Sequence, residues 1–121
     1  MGIGTDVVSI ERIAGVLERH GERFVQRVLT PAERARYERT RQKASHLAKR
    51  WAAKEAFAKA IGTGIHPPFT WQSITVTRDP KGAPGIEASP AMATYLRGRG
   101  VKRSHLSLSD DADVAMAFVV L

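Results

Sequence analysis

Two carboxylates stand where carboxylates are costly. Asp6 falls inside a β-branched run, Ile3 to Ile10, between Thr5 and Val7, and shares a pleat face with Gly4 and Val8. Aspartate is depleted in strand interiors because it favours local turns and resists desolvation. Glu55 lies at helical spacing from Trp51, Ala52 and Ala58, on the side that an amphipathic helix would bury. A buried, unpaired carboxylate is strongly unfavourable or takes up a proton. A hard cation shared by Asp6 and Glu55 would relieve both. Oxygen-only ligation by one or two carboxylates suits Mg²⁺, which keeps waters and completes its octahedron with substrate phosphates, so the pair implies phosphate chemistry. Two plainer readings stay open: Asp6 bonded to nearby backbone amides, and Glu55 in a surface ion pair with Lys59 one turn on.

Lys59 shares the helix face of Glu55, so phosphate oxygens on a cation held by Glu55 would lie near its ammonium. Gly62-Thr63-Gly64 closes the same stretch. The two glycines allow backbone amides to approach a phosphate and Thr63 adds a hydroxyl, although a glycine at a helix end has a structural use of its own. There is no P-loop, no dinucleotide fingerprint and no His pair at metal spacing. Zero cysteines remove disulfides, thiolate nucleophiles and cysteine metal sites from consideration.

The elements that must position these groups are readable from pattern. At 121 residues, 43% hydrophobic and 26% charged, the chain fits one domain spanning residues 1–121. After the first strand, Ser9 can cap a helix beginning at Ile10, and Gly21 breaks that helix before a short one carrying Phe24, Val25, Val28 and Leu29. Thr30-Pro31-Ala32-Glu33 has the form of a capping box with proline in the first turn. Ser45 to Ile61 has neither Gly nor Pro and stops at Gly62, which predicts the long helix. Trp71, Ile74 and Val76 lead into a strand that turns at Asp79-Pro80-Lys81-Gly82 and pairs with Gly85 to Ala88. Pro90 to Arg97 predicts a helix, and His105 to Ser109 and Val114 to Leu121 predict two strands joined by the acidic turn Asp110–Asp113. Irregular mixing of helices and strands favours α+β, with a mainly antiparallel sheet and one long helix. The last strand is apolar on both faces, which predicts either full burial in the domain or cover from another copy.

Charge is lopsided: residues 1–60 hold thirteen basic and seven acidic side chains, residues 61–121 six and five, within a total of +7. The Arg-rich front half should meet something anionic, whether nucleic acid, phosphate-rich ligand or acidic protein. Aromatics amount to 7% and are not grouped on one predicted strand, which weighs against a base-stacking platform. No apolar run is long enough to span a bilayer, and Met1-Gly2-Ile3-Gly4 enters strand-like sequence with no signal segment, so the expectation is a cytoplasmic protein with no membrane contact.

Gly2-Ile3-Gly4-Thr5-Asp6-Val7-Val8-Ser9-Ile10-Glu11-Arg12-Ile13 and Arg50-Trp51-Ala52-Ala53-Lys54-Glu55-Ala56-Phe57-Ala58-Lys59-Ala60-Ile61-Gly62-Thr63-Gly64 together resemble the two signatures of the holo-acyl carrier protein synthases, the small single-domain type within the phosphopantetheinyl transferase superfamily. Phe24–Glu33 and His105–Asp110 also resemble that family, so the similarity covers essentially the whole chain. The resemblance implies a phosphopantetheinyl transferase-like fold and transfer of the phosphopantetheine arm of coenzyme A to a serine of apo acyl carrier protein, supporting fatty acid biosynthesis. It implies Asp6 and Glu55 as Mg²⁺ ligands, Glu55 as the group that helps deprotonate the serine, and Lys59 as the charge on the pyrophosphate. Arg50, Lys59, Gly62, Thr63 and Gly64 are implied at the coenzyme A site, and Arg12, Arg23 and Phe24 at the surface that docks the acidic carrier helix. A homotrimer with sites between chains is implied as well. Some members carry His where this chain has Asp110, so a role for that His does not transfer, and His105 reads as structural or as a phosphate neighbour. The main rival is a basic nucleic-acid-binding α+β domain, and a non-enzymatic protein-binding module using the Arg face is a third reading.

Overall fold

The computed structural model describes all of residues 1–121. Strand β1 (Ile3–Ser9) runs into helix α1 (Ile10–His20), and Ser9 caps it by accepting from the Arg12 amide at 3.1 Å. Helix α2 (Glu22–Val28) follows Gly21, and α3 (Pro31–Tyr37) opens with the expected capping box. There the Thr30 amide donates to Glu33 Oε1 at 2.8 Å and the Glu33 amide donates back to Thr30 Oγ1 at 3.4 Å. Helix α4 (Lys43–Ile61) starts two residues before the predicted Ser45 and ends as expected at Gly62, whose φ of 86° is the left-handed conformation that glycine adopts without strain. Strands β2 (Ile74–Arg78) and β3 (Pro84–Ala88), helix α5 (Pro90–Gly98), and strands β4 (His105–Asp111) and β5 (Val114–Val120) complete the chain.

The fold is α+β and every strand pair is antiparallel, but the strands form two sheets rather than one. One has the order β1-β5-β4 and the other is the β2-β3 hairpin. The acidic turn is tighter than expected: β4 extends through Asp111, leaving Ala112 and Asp113 to reverse the chain, with Ala112 at a φ of 48°. Pairing of β1 with β5 brings the chain ends together, Ile3 opposite Val120 and Asp6 opposite Ala117.

Helix α4 lies across the inner face of the three-stranded sheet and is buried on nearly all sides. Leu47, Ala48, Ala52, Ala53, Ala56, Phe57, Ala58 and Ile61 join Val8, Ala115, Ala117 and Val119 in the core. The small side chains let helix and sheet approach closely, and the limit is reached at Gly2 and Gly4. A Cβ at Gly4 would overlap the Ala56 carbonyl oxygen, and one at Gly2 the Ala60 carbonyl oxygen. The opposite face of the sheet is bare: Ile3, Val7, Met116 and Phe118 are 60%, 56%, 44% and 46% exposed. The last strand is thus central but covered on only one side within the chain.

Candidate active site

In the C-terminal part of α4, Trp51, Glu55 and Lys59, each four residues from the next, form an incompletely buried stripe. Glu55 is half-buried, at the edge of the face expected to be buried: Ala52 and Ala58 are enclosed while Lys59 is exposed. The close approach of β1 at Gly4 then carries Asp6 to that stripe. Lys59 Nζ donates to the Thr5 carbonyl at 2.9 Å and to Asp6 Oδ1 at 3.2 Å, while Glu55 has no ion pair. The surface pair considered between Glu55 and Lys59 is therefore replaced by Asp6–Lys59. The other plain reading, Asp6 held by backbone amides, also fails, since its side-chain partner is Lys59.

Both carboxylates hold protons more tightly than usual. Burial raises the Asp6 pKa, against the hydrogen bond and charge of Lys59 and the charge of Arg12. For Glu55 burial again leads and the negative charge of Asp6 adds to it, with Lys59 and Arg12 opposing. In each case burial outweighs the two nearby cations, so a further positive charge between the carboxylates would stabilise their ionised forms. No group of three or more His, Cys, Asp or Glu exists, so a cation here would take two protein carboxylates at most and complete its shell from water and ligand oxygens. That donor set fits Mg²⁺.

The remaining expected residues divide. Arg12 is close enough to act on both carboxylates through its charge. Arg23 and Phe24 line a basic cleft with His20 and Arg27, and Phe24 and Arg27 also border an apolar cavity of about 350 Å³ walled by Val28, Trp51, Ile65 and Trp71 and reaching Glu55. Gly62, Thr63 and Gly64 follow Lys59, but their amides are spent: all three donate to the Ala58 carbonyl at 3.1, 3.2 and 3.1 Å, closing the helix end. Thr63 Oγ1 donates to the Gly64 carbonyl at 2.8 Å. The notion of free amides cradling a phosphate is corrected accordingly, and what this segment offers a ligand is an end without bulky side chains.

Arg50 is 1% exposed and faces away from Glu55, at the back of a cleft of about 380 Å³ lined also by Arg36, Arg39, His46, Lys49 and Arg78. Crowding of like charge is evident there. Burial first, then the charges of Arg50, Lys49, Arg78 and Arg36, push the His46 pKa down to about 4. Burial and Arg78 push Arg50 down to about 10 against the pull of Glu33. The buried Nε atoms of Arg34 and Arg50 and the Nε2 of His46 have no partner. Of these, Arg50 lines the open basic cleft, and an anion there would meet its unpaired guanidinium. Of this cluster the sequence offered Arg50 and, within the Arg-rich front half, Arg36 and Arg39; Arg78 was not foreseen because it arrives from a distant hairpin. Asp110 accepts from Ser45 Oγ at 3.2 Å and Lys49 Nζ at 3.4 Å, tying β4 to the start of α4, and His105 is exposed on β4 opposite Val120.

Residues 2–119 match the family model described as the 4'-phosphopantetheinyl transferase superfamily. The chain is 51% identical over 120 residues to the holo-[acyl-carrier-protein] synthase of Thiobacillus denitrificans, covering 99% of this chain and 92% of that protein. It superposes on the crystal structure of the Neisseria meningitidis holo-[acyl-carrier-protein] synthase with a TM-score of 0.94 at 42% identity, covering 98% and 94% of the two chains. The Helicobacter pylori synthase in complex with coenzyme A gives a TM-score of 0.87 at 35% identity, with 98% and 97% covered.

Proposed function

The chain belongs to the 4'-phosphopantetheinyl transferase superfamily, and on that premise we propose that it moves the phosphopantetheine arm of coenzyme A onto a serine of apo acyl carrier protein in a Mg²⁺-dependent step, supporting fatty acid biosynthesis in the cytoplasm. The observation that carries this reading is the meeting of Asp6, Glu55 and Lys59, from two elements, along the Trp51–Glu55–Lys59 stripe of α4.

The serine oxygen attacks the phosphorus that bears the pantetheine arm, the bond from that phosphorus to the bridging oxygen breaks, and adenosine bisphosphate leaves. Asp6 and Glu55 would hold the Mg²⁺, which when bound supplies charge neutralisation and a template for the pyrophosphate. Glu55 takes the serine proton directly or through a water. The Lys59 side chain is 52% exposed, so its ammonium can turn from Asp6 to the charge that develops on the bridging oxygen. The basic cleft around Arg50, on another side of α4, suits a further phosphate of coenzyme A, and the glycine-rich end after Lys59 leaves room for ligand beside the carboxylates. Arg12, Arg23 and Phe24 form the surface for the carrier's acidic helix, adjoining the Glu55 cavity. A homotrimer that buries Ile3, Val7, Met116 and Phe118 would cover the bare sheet face.

The test is the mass of apo carrier protein incubated with coenzyme A, Mg²⁺ and this protein. Gain of one phosphopantetheine group, lost on chelation of the metal, is the expected result. No gain, together with salt-sensitive binding of RNA or DNA, would return the basic surface to nucleic acid.

A further inference from the structure

Lys54 is 0% exposed, one residue before Glu55, and its ammonium has three acceptors on three separate segments. It donates to the Val28 carbonyl at the end of α2 at 2.6 Å, to Glu33 Oε1 on α3 at 2.7 Å, and to the Trp71 carbonyl in the connection before β2 at 2.7 Å. All three ammonium protons are thereby used. Glu33 is likewise enclosed and carries the link onward, its other oxygen accepting from the Val76 amide of β2 at 2.8 Å. Replacing a buried ion pair by neutral side chains of similar volume is often harmless to stability, so its stabilising value alone does not explain why a lysine stands here.

What the clamp fixes is the apolar wall beside Glu55. Fastening the Trp71 backbone to α4 lays its indole on Trp51, with ring centres 4.5 Å apart and planes at 28°, and Trp51 in turn meets Phe24 at 5.6 Å. Val28, the second carbonyl partner, lines the same cavity with Trp71, Trp51, Phe24 and Glu55. We propose that Lys54 is a positioning residue for the acceptor substrate: it assembles, from α2, α4 and the Trp71 connection, the wall against which the carrier's serine segment is presented to Glu55. This rests on the transferase reading for the identity of the acceptor, whereas the clamp's effect on the wall does not.

Lys54→Met/Glu33→Gln removes both charges at nearly constant volume and so avoids a lone buried ion. The chain has only two tryptophans, so the circular-dichroism couplet of stacked indoles reports the wall without any turnover. The double variant should lose that couplet and raise the KM for carrier protein by about tenfold, while the KM for coenzyme A stays within about twofold, because misplacing one substrate's contacts penalises that substrate. A wild-type couplet with a wild-type carrier KM, or equal changes in both KM values, would overturn the assignment. Trp71→Leu, which leaves the clamp untouched, should raise the carrier KM to a similar extent, and an unchanged KM there would overturn it even if the double variant failed to fold. A wild-type protein with a strong couplet but no carrier modification would sink the transferase reading alone.

Discussion

Gly4→Ala probes the distance on which the site depends. A methyl at Gly4 would overlap the Ala56 carbonyl oxygen and lie 2.8 Å from the Ala60 amide nitrogen. Both are backbone atoms of a helix packed on nearly every side, so no side chain can rotate to make room. Reaching an ordinary contact of 3.4 Å requires β1 to lift by at least about 0.6 Å from the nitrogen, and further from the oxygen. Asp6 lies two residues on, on the same face, and its 3.2 Å bond to Lys59 and its proximity to Glu55 would be lost. Overpacking of this kind costs about 1–3 kcal/mol of stability, and a displacement approaching an ångström at reacting groups costs about a hundredfold in rate. The assay is the initial rate of carrier mass gain at saturating coenzyme A and Mg²⁺, alongside thermal unfolding. Gly2→Ala is the control, since it makes an equivalent clash with Ala60 just before β1, farther from Asp6. It should lose similar stability but at most about tenfold in rate. Wild-type turnover by a folded Gly4→Ala protein would refute the argument that this contact sets the site.

Glu55→Gln should lower transfer by about a hundredfold to ten-thousandfold, and without metal it should melt at a higher temperature than wild type at neutral pH. The sign follows from the raised pKa: between the ordinary carboxylate range and the raised value, the folded chain holds a proton that the unfolded chain has lost, so metal-free stability falls as pH rises through that window. A lower melting temperature for the variant would contradict it. Charge reversal at Arg12 or Arg23 should raise the carrier KM by about tenfold at low salt and leave coenzyme A affinity unchanged; equal losses toward both substrates would show that these arginines do not belong to the carrier surface. Phe118→Arg places a charge on the bare sheet face and should reduce the sedimenting species to single chains of unchanged secondary structure, whereas an unaltered mass would remove that face from the assembly.

Sequence alone determined what depends on near neighbours. The Ser9 cap, the Thr30–Glu33 box and the Gly62 stop are set by groups within a turn or two, and each appears as expected. The same local rules made Asp6 and Glu55 conspicuous, and the two long motifs made the family recognisable. Tertiary structure decided the pairings. Lys59 is one turn from Glu55 yet bonds Asp6, fifty-three positions away, because the Gly4 contact presses β1 onto α4. The amides of residues 62–64 close a helix, although their sequence suits a phosphate as well. Arg50 joins Arg78 in one cleft, Lys54 gathers three segments, and Val7 and Phe118 are left bare, for one reason. Periodicity states which face a residue occupies, whereas the partner on that face depends on how distant elements stack, and that is fixed only when the whole core closes.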